Sequence, residues 1–267
     1  MIIDFHTHIF PDKIAQKTID FLSNKGGVPA FSDGTTNGLL ARMEAAGVDI
    51  GVTLPVLTNP AQFDSVNRFA ADINREFADK ERRLISFAGI HPDCDDIDGK
   101  MSFIAKSGFL GVKIHPDYQD TYINDEKYVR IMECAVEYDL AVVTHTGVDV
   151  AYSEVHCPPR LALELIRRVP HAKLILAHMG ANDMFDEALD MLCGENVYLD
   201  TAYVLRFIGE ERFKKMLARH GEDKILFASD SPWSDIKGDV DILRLFDISN
   251  TAKEKIFCEN ARALLKI

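Results

Sequence analysis

An eightfold alternation of short apolar runs with longer helical patterns constrains this chain more than any other feature. The runs lie at 2–7, 50–54, 84–90, 110–115, 141–145, 173–178, 197–201 and 224–229. They are almost continuously apolar and rich in β-branched residues, as strands buried on both faces should be. Apolar residues recur at helical spacing over 39–46, 65–79, 126–138, 160–169, 183–192 and 211–220, and more weakly over 101–106. Two more helices are expected after the last run, at 239–246 and 251–265, and Asn182 and Asn250 read as N-caps. Strand and helix in strict alternation imply a parallel sheet. Eight such units in 267 residues predict one α/β domain over 1–267, closed as a (β/α)₈ TIM barrel rather than an open sheet.

In such a barrel the strand C-termini meet around one pocket. The first run reads Asp4-Phe5-His6-Thr7-His8. Residues two apart on a strand point the same way, so His6 and His8 can share one ion, with Asp4 placed to orient a ligand from behind. The fifth run ends Thr144-His145-Thr146-Gly147, the sixth Ala177-His178-Met179-Gly180, and the eighth Ala228-Ser229-Asp230-Ser231-Pro232. Three imidazoles and a carboxylate, from His6, His8, His145 and Asp230, form a mixed N/O shell. It suits zinc first, with manganese, iron or nickel as alternatives. Asp230 could take a proton from a metal-bound water, and His178 could polarise a carbonyl, donate a proton or bind metal itself.

The fourth run carries Lys113 inside an apolar strand, where an ammonium is costly unless it is paired, modified or lining a site. His115 shares its parity, and His91-Pro92 ends the third run in a similar way. Lys113, His91 and His115 are therefore candidate substrate contacts. Two loops, 25–38 and 147–159, are placed to cover the site.

The motifs DFHTH, THTG, AHMG and SDSPW, with Asn260-Ala261-Arg262-Ala263-Leu264-Leu265 at the end, resemble the amidohydrolase superfamily over nearly the whole chain. The resemblance is to the amidohydrolase-related branch (amidohydrolase family 2), which includes decarboxylases such as aminocarboxymuconate-semialdehyde decarboxylase. It implies His6, His8, His145 and Asp230 as metal ligands and His178 as the catalytic histidine of a one-metal enzyme. In the two-metal variant, Lys113 is carboxylated and bridges the ions, and His178 becomes a ligand.

Three functions follow, in order. The first is hydrolysis of a small amide, lactone or cyclic imide at a C–N or C–O bond. The second is non-oxidative decarboxylation of an unsaturated or aromatic acid. That reaction calls for a cationic carboxylate clamp, for which Arg160 and Arg206 are candidates, with Trp233 as a pocket wall. The third is metal binding without catalysis. A net charge of −12 disfavours nucleic acid as a partner. Five scattered cysteines without a CxxC pair, no run long enough to span a membrane and no leader-like start point to a small-molecule enzyme of the cytoplasm. Homo-oligomerisation is left open.

Overall fold

The computed structural model describes residues 1–80 and 83–267. Eight strands follow one another in parallel: β1 (Ile3–Thr7), β2 (Ile50–Thr53), β3 (Arg83–Ser86, resuming past Phe87 as Ala88–Gly89), β4 (Gly111–Ile114), β5 (Ala141–Thr144), β6 (Lys173–Leu176), β7 (Tyr198–Asp200) and β8 (Ile225–Leu226). The break at Phe87 divides the ladder into three strands ending on Arg83–Ser86 and six starting on Ala88–Gly89, so that β3 belongs to both, and Phe87 N still donates to Thr53 O at 3.0 Å. The ring closes between its ends. Phe5 N donates to Phe227 O (2.9 Å), Asp230 N to His6 O (2.8 Å) and His8 N to Ser231 O (2.6 Å), and Thr7 bridges Ser231 in parallel. The chain is thus a closed (β/α)₈ TIM barrel.

Val52, Ile85, Val143, Ile175 and Leu226 come from five strands and share one buried cluster, which they can do only inside the barrel. Leu265 of the last helix joins them. Gly111 makes room for this filling, since a Cβ there would stand 2.4 Å from the Phe87 ring. A larger cluster packs the helices onto the outer face, with Met101, Ile131, Leu165 and Phe213 fully or nearly fully buried.

Three helices matter for the site: α1 (Asp12–Gly26), α2 (Thr36–Ala46) and α3 (Phe63–Glu76). α1 stops where Gly27 turns left-handed (φ 63°) and returns its N–H to Ser23 O. Both expected N-caps are displaced. Ser249, one residue earlier than Asn250, accepts from Ala252 N. Asn182 donates to Val148 O instead, tying the loop after β5 to the end of β6, and the helix that follows begins at Phe185. No helix among the described residues is long and apolar enough to cross a membrane.

Candidate active site and metal centre

At the β1 and β8 ends, His8 Nε2 lies 3.1 Å and His6 Nε2 3.5 Å from Asp230 Oδ1. Two ligand atoms about 2.1 Å from one ion at the tetrahedral angle stand roughly 3.4 Å apart. The spacing therefore suits a shared cation. The second nitrogens are already committed. His8 Nδ1 donates to Leu54 O (2.8 Å), and His6 Nδ1 bonds Asp200 Oδ2 (2.9 Å). In the neutral rings both Nε2 lone pairs then face the Asp230 carboxylate. Acceptors so gathered repel one another unless a proton or a metal ion sits among them. Burial alone would raise the Asp230 carboxyl, but once the imidazoles carry a second proton the His8 hydrogen bond and the charge of His6 and His8 outweigh it and hold it low. By donor set and spacing, His6, His8 and Asp230 could hold a metal ion.

Asp200, at the end of β7, was not singled out from sequence. Its Oδ1 accepts from the backbone N of His178 and of Ala202, both at 3.0 Å, while Oδ2 holds His6. That is the orienting role expected of Asp4. Asp4 instead accepts from Ser229 N (2.9 Å) and Ser229 Oγ (2.6 Å). It sits two residues deeper on β1, about 6.6 Å further from the mouth, too far down to reach an imidazole. Burial pushes its carboxyl up to about 7.

His145 does not join the triad. Its Nδ1 lies 2.9 Å from His178 Nε2, while His178 Nδ1 donates to Ala202 O. This orders the protons: His178 carries its own on Nδ1, so its Nε2 accepts from His145 Nδ1–H. His145 Nε2 is then left buried without a partner, 3.7 Å from the equally unpartnered Asp117 Oδ2. Asp117 is otherwise engaged by His156, through its backbone N and Nδ1.

Beside this pair His115, His145 and Asp149 draw close together. An imidazole binds metal in its own plane, however, and the His115 and His145 rings are stacked at 10° with centroids 4.4 Å apart. No ion lies in both planes. His115 Nδ1 accepts from Tyr118 N, so its Nε2–H faces Asp149 at 3.4 Å. This group is a stacked, hydrogen-bonded wall. The His6 and His8 rings, in contrast, are inclined at 69°.

Lys113 is buried at the floor, with Nζ 3.1 Å from His6 Nε2. Burial pushes its ammonium down to about 8, against the pull of Asp200 and Asp230. His178 (φ 61°) and Asp230 (φ 69°) both occupy left-handed backbone, a strained setting that hydrogen bonds from His178 N to Asp200 and from Asp230 N to His6 O maintain.

His6, His8, Lys113, His145, Asp149, His178 and Asp230 line a cavity of about 670 Å³, with His115 and Trp233 also on its wall. His91, Arg160 and Arg206 do not line it. His91 Nδ1 accepts from Asp93 N. The Arg160 side chain is 67% exposed and pairs with Glu164 one turn along its own helix. Arg206 donates to Trp233 O and stacks over Tyr203 and Phe207. The lysines of the cavity, Lys25 and Lys113, stand where those arginines were expected. Loop 147–159 supplies Val148, Asp149 and Tyr152 to the wall, and loop 25–38 supplies Val28.

A closed parallel barrel with its titratable groups gathered at the C-terminal mouth defines an enzyme of the TIM-barrel class. The chain belongs to the amidohydrolase family, whose model, described as Amidohydrolase, matches residues 3–267. No curated protein matches it. Three solved structures illustrate the fold. A TIM-barrel protein from Bordetella bronchiseptica is 17% identical (TM-score 0.79; 99% of this chain, 98% of that one). A dihydroxybenzoic acid decarboxylase from Polaromonas, with bound manganese and the inhibitor 2-nitroresorcinol, is 17% identical (TM-score 0.74; 99% and 96%). The 5-carboxyvanillate decarboxylase of Sphingomonas paucimobilis is 17% identical (TM-score 0.71; 100% and 99%).

Proposed function

We propose that this chain is a metal-dependent, non-oxidative decarboxylase of an aromatic or unsaturated carboxylic acid. The observation that carries the metal centre is the convergence of His6 Nε2, His8 Nε2 and Asp230 Oδ1 at 3.1–3.5 Å with both second nitrogens already bonded. Hydrolysis of a C–N or C–O bond, the first expectation from sequence, is set aside. The similar structures named above include two decarboxylases of aromatic acids.

A divalent ion on His6, His8 and Asp230, with manganese the first to test, would supply Lewis acidity and a fixed point for the substrate's oxygen atoms. Lys113 is the buried cation at the floor, placed to meet the carboxylate. The stacked His115 ring and Trp233 bound the space for a planar substrate. When the C–C bond breaks, its electron pair stays on the ring carbon and CO₂ departs. The proton that replaces it is drawn from water: His178 Nε2 takes it up, with its Nδ1–H still on Ala202 O and His145 beside it, and passes it to the ring carbon.

The test is to load the full chain with Mn²⁺ and, separately, Zn²⁺, then offer 2,6-dihydroxybenzoate, 5-carboxyvanillate, and a panel of amides and lactones. Release of CO₂ from an aromatic acid, abolished by chelator, is expected. Hydrolysis of an amide or lactone with no CO₂ from any acid would overturn the reading.

A further inference from the structure

The cavity is far larger than the space around the triad. Its outer part is walled by two helix faces that oppose each other across the mouth. From α1 come Ile14, Thr18, Phe21 and Leu22, and from α3 come Val66 and Phe69. Positions 14, 18, 21 and 22 fall on one stripe of a helix, as do 66 and 69. α1 already buries a different stripe, Ala15 and Ile19, with Ile19 set against Gly34 of the following loop. Its second apolar stripe has no such cover: Ile14 is 50% and Phe21 63% exposed.

Val150, from the loop after β5, is 55% exposed and closes the third side. It packs so near the end of α1 that a Cβ on Gly26 would stand 3.3 Å from its Cγ2. The charged residue that α1 adds is Lys25, whose ammonium lies 3.7 Å over the Tyr152 ring. Apolar surface gathered like this and left open to water is characteristic of a binding surface.

This outer trough is continuous with the catalytic floor, and the whole cavity is of a size that encloses a drug-sized ligand. A single-ring acid anchored at the triad would fill the inner end alone. We infer that the substrate is an amphiphile, a carboxylic acid whose reactive end sits on the triad while a hydrocarbon or aryl tail lies between α1 and α3. This rests on the acid-decarboxylase reading and adds the class of substituent.

Trp233 is the sole tryptophan of the chain and lines the cavity, so binding can be followed by its fluorescence without turnover. The full chain, loaded with Mn²⁺, is titrated with benzoate and with 4-butyl-, 4-hexyl- and 4-octylbenzoate. Each methylene buried in the trough should tighten Kd about fourfold. Phe21→Asp and Ile14→Asp should flatten that dependence. Both side chains are half exposed or more, so melting temperatures should match the parent and exclude misfolding.

A Kd independent of chain length, or a slope undiminished in both variants, overturns the inference. So does a dimer in light scattering that Phe21→Asp dissolves, because a second copy would then be the occupant. CO₂ release is measured in parallel on 2,6-dihydroxybenzoate and 5-carboxyvanillate. A steep chain-length dependence of Kd with no CO₂ from those acids sustains the tail site and sinks decarboxylation instead.

Discussion

Two clusters at the mouth of one barrel are built from the same residue types and have different capacities. In the first, the His6 and His8 rings incline at 69° and bring both Nε2 atoms within 3.5 Å of Asp230 Oδ1. In the second, His115 and His145 lie nearly parallel, while in both clusters a hydrogen bond claims one nitrogen of each ring. Proximity is common to both, since each trio gathers its donor atoms closely. Ring orientation separates them. Two histidines and an aspartate become a cation site only when the lone pairs meet at a point.

The largest test of this distinction is Asp230→Asn. It removes the charge that compensates the cation, and turnover should fall by about 10²–10⁴ while thermal unfolding stays cooperative. Unchanged turnover would end the proposed mechanism. His8→Ala should weaken manganese binding by more than about 100-fold, beyond what loss of a supporting residue costs, whereas His115→Ala should retain the ion. Metal content after dialysis reads both, and equal losses would erase the contrast between clusters. Asp200→Asn leaves the ligands in place but spoils the orientation of His6. Metal affinity should drop about 10–100-fold, measured by calorimetric titration.

The smallest effect concerns the segment behind Asp230. Asp239 is buried with Oδ2 unpartnered, and burial pushes its carboxyl up to about 7, against about 3.9 in an unfolded chain. Between those values the folded state holds a proton that the unfolded chain has released, so stability falls as pH rises through the window. Asp239→Asn mimics the protonated form. It should raise the melting temperature by several degrees at pH 8, with the gain vanishing towards pH 4. A pH-independent gain would contradict the assignment.

The barrel was legible in the sequence because a strand buried on both faces must be apolar along its length, and eight such runs leave little choice of architecture. His6, His8 and Asp230 were legible because strand parity and strand-end position suffice to bring them together. Asp200 was not, since Tyr198-Leu199-Asp200 carries no motif and its role appears only when β1, β6 and β7 are seen side by side. The position of His145 depended on a ring rotation and a tautomer that spacing does not encode. Arg160 and Arg206 were credited with facing the pocket because they follow strand ends, yet each is taken up by nearer partners. Lys25 lies on a helix ahead of the strand that would have drawn attention to it.

The triad draws its members from the two extremities of the chain, residues 6 and 8 on β1 and residue 230 beyond β8, next to the very hydrogen bonds that seal the ring. A cation there would act as a clasp across the seam. During synthesis the clasp has nothing to fasten until the eighth strand emerges, so a nascent chain remains unloaded until its ring is shut. In the finished protein, affinity for an ion at that place would be coupled to closure, and stripping it would loosen the seam before any other joint in the barrel.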